Sequence, residues 1–206
     1  MKITKLSPSK HKKGRWLVCL ENGDLLRVGE TEMISFSLYA GMELSEDLVE
    51  QLRQSASLSI FKEYALNALS TRPMSRHELR QKLEEKECSP GHALEIVDRL
   101  TELGYLDDAS YAVTLVRHYT AKGYGPYKIR EELFRRGIPR EYWEEAFSSS
   151  EPSDDTLDAF IAQKLRGVEQ PDRKDLKRVS DALARRGYAW SDISAALRRY
   201  GAEPDE

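Results

Sequence analysis

Gly125-Pro126-Tyr127-Lys128-Ile129-Arg130-Glu131-Glu132-Leu133-Phe134-Arg135-Arg136-Gly137-Ile138 decides the reading of this chain, because its pattern returns as Asp175-Leu176-Lys177-Arg178-Val179-Ser180-Asp181-Ala182-Leu183-Ala184-Arg185-Arg186-Gly187-Tyr188. Ile129-x-x-x-Leu133 matches Val179-x-x-x-Leu183, and Leu79-x-x-x-Leu83 lies one period earlier. The constant spacing of roughly 50 residues is that of a helical repeat. The register extends into a second apolar stripe, in which Ala93, Trp143 and Ile193 are equivalent, as are Ile96, Ala146 and Ala196, and Val97, Phe147 and Leu197. Between the stripes, two copies carry Arg-Arg-Gly. A glycine just past the last periodic residue ends a helix by taking the left-handed conformation, and the arginines suit the helix's negative end. Helix starts are marked by Ser75-x-x-Glu78 as a capping box, by Pro126 at a first helical position, and by Asp175 in the third copy. Weaker helical patterns precede each of these, around Phe61–Leu69, Tyr111–Tyr119 and Asp158–Leu165.

Each unit is therefore read as three helices, too few to bury its own stripes, so neighbours must stack. The predicted fold is mainly α: three tandem three-helix repeats in an elongated, curved array, with a small N-terminal β-hairpin region. Residues 1–45 form the hairpin region with its basic arm, 46–103 a linker helix and the first repeat, 104–150 the second, and 151–206 the third with an acidic tail. Ser148–Asp155 reads as a flexible acidic joint. Near the N-terminus, Trp16–Leu20 and Leu25–Val28 flank Glu21-Asn22-Gly23-Asp24. Asn-Gly is the preferred pair for a type I′ hairpin turn. Six cations and no acid lie between Met1 and Trp16, either as a solvated guard on a sheet edge or as a phosphate-binding arm.

Composition removes several classes of function. No apolar run is long enough to span a bilayer, and the basic start lacks the apolar core of a signal peptide, so the expected compartment is the cytoplasm. Cys19 and Cys88 sit in unrelated contexts and imply no disulfide. A net charge of −3 rules out a uniform basic coat but leaves room for segregated charge. His11, His77, His92 and His118 belong to no metal or nucleophile motif, and Cys88 with His92 makes only two ligands. Gly123-Tyr124-Gly125-Pro126 lacks the downstream glycine and lysine of a phosphate loop. No cofactor, metal or catalytic activity is expected.

Gly104-Tyr105-Leu106-Asp107-Asp108-x-x-Tyr111-Ala112, followed by Lys122-Gly123-Tyr124-Gly125-Pro126-x-x-Ile129-x-x-x-Leu133 and Arg136-Gly137-Ile138, closely resembles the signature of the RecX regulatory family. The first repeat joins the resemblance through Leu69-Ser70-x-Arg72-Pro73-x-Ser75-x-x-Glu78-Leu79, while the third repeat and Ala202–Glu206 match loosely. The resemblance implies a protein that binds the RecA–DNA filament and restrains the RecA recombinase and its ATPase without chemistry of its own. It implies only weak binding to single-stranded or duplex DNA alone. A monomer is expected, since no heptad run is present. Every signature residue also has a structural reading: Leu106 and Tyr111 pack between repeats, Asp107 or Asp108 caps a helix, and Gly104, Gly123, Gly125 and Gly137 serve turns or helix ends. Tyr105, Pro126, Ile129 and Leu133 complete this scaffold set.

Contact residues are sought where the repeats differ. With Ile129 and Leu133 inward, Lys128 and Arg135 share an outer flank; the equivalents are Glu78 and Glu85 in the first repeat and Arg178 and Arg185 in the third. Lys128, Arg135, Arg178, Arg185, Arg130 and Tyr127 are the candidate contacts with filament or DNA. Glu131 and Glu132 offer partners that would make the flank an ordinary soluble face. Tyr127 and Phe134 share the other flank, and packing on the next repeat is the reading favoured for Phe134. The rival function is a sequence-specific DNA-binding protein with tandem helix-turn-helix-like units. Against it stand the total charge and the absence of Asn, Gln or Arg clusters at a helix start.

Overall fold

The computed structural model describes residues 1–149, 154–168 and 171–199. The chain divides into two compact units: one holds Met1–Arg72 and Lys82–Asp98, the other Pro73–Gln81 and the chain from Arg99 onward. The expected joint at Ser148–Asp155 falls partly, and Ala202–Glu206 wholly, outside the described residues.

In the first unit, β1 (Ile3–Pro8), β2 (Arg15–Leu20) and β3 (Leu25–Gly29) form an antiparallel sheet in the order β1-β2-β3. Alternation sends Ile3, Val18, Leu20, Leu26 and Val28 to one face. There they pack with Val49, Leu52 and Ala56 in one core. The other face carries Lys5, Ser7, Leu17, Cys19, Leu25 and Arg27 in the registers Lys5↔Cys19↔Leu25 and Ser7↔Leu17↔Arg27. The hairpin is present, but its turn differs from the expected type I′. Gly23 alone takes positive φ, at 89°. Its N–H bonds Leu20 O at 3.0 Å and Leu20 N–H bonds Asp24 O at 2.9 Å, the pattern of a three-residue loop closed by a left-handed glycine. Asn22 stays out of the left-handed region because its Oδ1 accepts the Asp24 N–H at 3.0 Å.

A short helix that the periodicity did not announce, α1 (Glu30–Ser35), follows β3. Its Glu32 is buried, accepting the Gly29 N–H at 2.9 Å and the hydroxyls of Ser55 and Ser59. The expected linker helix and the first helix of the first repeat are one continuous helix, α2 (Glu46–Thr71). No glycine or proline interrupts this span, and Ser45 Oγ caps it by accepting the Leu48 N–H. The division between units passes through α3 (Arg76–Glu84) and α4 (Pro90–Glu102).

The second unit continues with α5 (Asp108–Ala121), α6 (Pro126–Arg135), a 3-10 turn at Arg140–Tyr142, α7 (Trp143–Ser148), α8 (Asp154–Lys164), α9 (Arg173–Arg185) and α10 (Trp190–Arg199). The repeat register is visible as burial: Leu79, Leu83, Ile129, Leu133, Val179 and Leu183 are all at most 2% exposed. Tyr111, Ala112, Leu115, Val116, Ile129, Leu133, Ile138 and Ala146 form one core. Leu157, Ile161, Leu165, Val179, Leu183, Ile193, Ala196 and Leu197 form another. One start is displaced from expectation. Asp172, not Asp175, caps α9, its Oδ1 accepting the Asp175 N–H at 2.8 Å, so α9 begins three residues ahead of the position equivalent to Pro126.

Candidate functional site

Burial of Ile129 and Leu133 turns Tyr127, Lys128, Phe134 and Arg135 outward. The Lys128 side chain is 43% exposed, with Nζ 2.6 Å from Glu131 Oε2. That of Arg135 is 68% exposed and donates to Glu132 through Nε and Nη2. Tyr127 and Phe134, seven residues apart, are 63% and 69% exposed. The reading that packs Phe134 on the next repeat is therefore wrong: residues flanking the buried pair at this spacing stand clear of the core. Arg130 lies 4.7 Å from the centroid of the Phe147 ring. On α9, Arg178 is exposed and pairs with Asp175 at 3.2 Å, and Arg185 is exposed. Such i,i+3 surface pairs are worth about 0–1 kcal/mol, so an anionic partner displaces them at little cost.

The acidic counterpart in the first repeat behaves differently. Glu78 is only 15% exposed and meets Arg136 Nη1 at 3.3 Å. It belongs to a joint rather than to a presented surface. At that joint Ser75 Oγ accepts the Glu78 N–H, Ser75 N–H donates to Glu78 Oε2, and the Ser75 hydroxyl donates to Arg136 O, the carbonyl closing α6. Asp108 Oδ1 accepts the Arg76 N–H at 2.9 Å. Burial pushes the Asp108 carboxyl above its usual range, while the Arg76 N–H works to lower it. The N-terminal end of one repeat's middle helix thus receives the C-terminal end of the next.

The same contact recurs one repeat later. Gly125 N–H donates to Arg186 O at 2.8 Å and Tyr127 N–H to Gly187 O at 3.0 Å. Arg186 Nη1 donates back to Lys122 O and Gly123 O, both at 3.0 Å, and its guanidinium lies 4.4 Å from the Phe160 ring centroid. Orphan donors at one helix start meet orphan carbonyls at another helix end, with the two dipoles head to tail. The glycine is needed twice over. Gly187 has φ +86°, and a Cβ there would stand 2.4 Å from the Lys128 nitrogen. Gly137 has φ +66°, and its Cβ would meet the His77 ring. Glu87, their equivalent in the first repeat, takes φ 65° but is exposed, a site where left-handed backbone is needed without close approach.

The two arginines of Arg-Arg-Gly therefore part company. Arg135 and Arg185 face solvent, whereas Arg136 and Arg186 hold the joints, a division that composition does not show. Its one trace in the sequence is that position 86/136/186 is basic in all three copies. Arg136 also donates to Tyr111 Oη at 2.6 Å and to Glu132 Oε1 at 2.8 Å. Glu132 additionally accepts the Tyr119 hydroxyl at 2.9 Å. Hydrogen bonds from Arg135, then Tyr119 and Arg136, hold the Glu132 carboxyl down from 4.5 to about 2, against burial, which raises it.

Signature residues gather around these joints. Leu106 and Tyr111 are buried, and Asp107 caps α5 by accepting the Ser110 N–H. Gly123 carries the carbonyl that Arg186 holds, and Gly125 and Pro126 open α6. Gly104, at φ +75°, ends α4 in open space, and Tyr105 beside it is 60% exposed. Among the described residues no group of three His, Cys, Asp or Glu could hold a metal ion, and no helix is long and apolar enough to cross a membrane.

Comparison with known proteins agrees with this arrangement. The family descriptions "RecX, first three-helix domain" and "RecX, second three-helix domain" match residues 62–100 and 107–146. Regulatory protein RecX of Enterococcus faecalis is 30% identical over 208 residues, covering 99% of this chain and 77% of its own. The chain belongs to the RecX family. The RecX of Bacillus subtilis is likewise 30% identical over 208 residues, covering 99% of this chain and 79% of its own. That of Xanthomonas citri is 38% identical over 136 residues, covering 65% and 83%. A crystal structure of regulatory protein RecX shares the fold, with a TM-score of 0.73 at 24% identity, over 96% of this chain and 98% of that one.

Proposed function

We propose that this chain restrains the RecA recombinase by binding the RecA–DNA filament, acting through binding energy with no catalysis of its own. Membership in a family whose members are named regulatory proteins supports the reading. The observation that carries it is the exposed outer side of α6, where Tyr127 and Phe134 on one flank adjoin Lys128 and Arg135 on the other, on a helix anchored at both ends by joints. Exposed aromatics with cations are the anchors that protein partners and nucleic acids use. Arg130, Arg178 and Arg185 extend the cationic character across the second and third repeats.

Titrating the protein into RecA-dependent strand exchange and ATP hydrolysis on single-stranded DNA, with a DNA-only binding assay alongside, tests this. Inhibition at concentrations where DNA alone is unbound is the expected result. Lys128→Glu with Arg135→Glu should weaken inhibition more than Glu85→Lys, which reverses an exposed acidic position of the first repeat; equal effects refute the role of the basic flank. Glu78→Lys is unsuitable as that comparison because Glu78 holds Arg136. Tight binding to one duplex sequence with no effect on RecA would instead support the tandem helix-turn-helix reading.

A further inference from the structure

The outer face of the N-terminal sheet is unaccounted for by the filament reading. It forms an open groove of about 520 Å³ lined by Lys5, Lys10, Lys12, Arg15 and Arg27, with no carboxylate in the lining. Lys12 and Arg15 are held by Glu63, at 2.5 and 2.8 Å. Lys5, Lys10 and Arg27 make no ion pair among the described residues, and all three are exposed. Leu17 and Leu25 lie between them on the groove floor, and Leu25 is 49% exposed. In a chain of net charge −3, five cations around one groove are a segregated field.

Lysines that merely guard a sheet need only stand along an exposed edge. Here the cations come from all three strands and the β1–β2 loop, and two registers, Lys5↔Cys19↔Leu25 and Ser7↔Leu17↔Arg27, run across the face. We infer that this face binds single-stranded nucleic acid through its phosphates, independently of the α6 flank and of RecA. A flexible single strand can follow a concave floor, placing phosphates on Lys5, Lys10 and Arg27 and laying sugars and bases over Leu17 and Leu25. A rigid duplex meets only the rim. With no base-reading polar cluster and no aromatic other than His11 in the groove, the binding is weak, salt-sensitive and independent of sequence.

The test uses the full chain and a labelled oligodeoxythymidine, followed by fluorescence anisotropy over a salt series without RecA. Replacing Lys5, Lys10 and Arg27 together by Gln removes three phosphate contacts and should lower the slope of log affinity against log salt by about 2, at about 0.7 per contact. Lys62→Gln with Lys177→Gln, which removes two cations outside the groove and outside the α6 face, should leave the slope unchanged. Cys19 provides a second readout on the same face: bound oligonucleotide should slow its alkylation by iodoacetamide, while buried Cys88 serves as the internal reference. An unchanged slope in the triple variant, or unprotected Cys19, overturns the inference. So does a duplex that binds as tightly as the single strand, or polyglutamate that competes as well as the oligonucleotide. Loss of RecA inhibition with this DNA signature intact would refute the filament reading alone.

Discussion

Replacing Gly187 by Ala isolates what the repeat joint contributes. The left-handed backbone costs an L-residue about 1–2 kcal/mol, and Gly167→Ala measures that cost by itself, since Gly167 has φ +83° and a methyl added there would meet nothing within 4 Å. At Gly187 the same methyl would also lie 2.4 Å from the Lys128 nitrogen and 3.0 Å from its Cα. Backbone cannot turn aside as a side chain does, so about 1–3 kcal/mol of overpacking adds to the backbone cost. The total is about 2–5 kcal/mol. If the helix ends separate to relieve the clash, the Gly125 and Tyr127 N–H groups lose their acceptors, at about 1 kcal/mol each, and the loss is similar. Urea unfolding of both variants measures the difference, and hydrogen exchange at Gly125 and Tyr127 reports separation of the joint. A Gly187→Ala variant no less stable than Gly167→Ala would refute the close-approach argument.

Gly137→Ala should cost less than Gly187→Ala, because its methyl meets the His77 side chain; His77→Ala should restore part of the loss, and no rescue in urea unfolding would count against that contact. Glu132 has a carboxyl depressed from 4.5 to about 2 in the folded chain, so its stabilisation is complete above about pH 4.5 and fades as pH falls toward 2. Glu132→Gln should flatten the pH dependence of the urea midpoint over that window, and an unchanged slope would place the acid sensitivity elsewhere. Burial, with Glu84 nearby, raises the Cys88 thiol, so mass spectrometry of the native chain should show iodoacetamide on Cys19 well before Cys88; equal rates would contradict the packing around α3 and α4.

Much of the fold was legible because helix periodicity and helix-end chemistry are local. The pairs from Leu79–Leu83 to Val179–Leu183, the Ser75 capping box and Pro126 at the start of α6 can all be read within a few residues. Short and polar elements were harder. Helix α1 has too few turns to show a period, and Glu32 looks like a surface acid until Ser55 and Ser59, far along the chain, are brought against it. Asn22-Gly23 announced a turn but not its class, since the choice rests on which residue takes positive φ. The exposed candidates, Lys128, Arg135 and Tyr127, followed from helix geometry alone. The roles of Arg136, Arg186 and Glu78 did not, because a charged residue beside a helix end reads the same whether it faces water or a neighbouring repeat.

The early start of α9 sets the third middle helix apart from the second. Gly125 offers its N–H to Arg186, but the equivalent donor on Asp175 is already taken by the Asp172 side chain, and Leu176 N–H bonds Asp172 O. The extra turn satisfies from within its own helix the donors that α6 satisfies from a neighbouring repeat. The same repeat position thus serves once as a junction, at the start of α6, and once as a self-sufficient helix start, at α9.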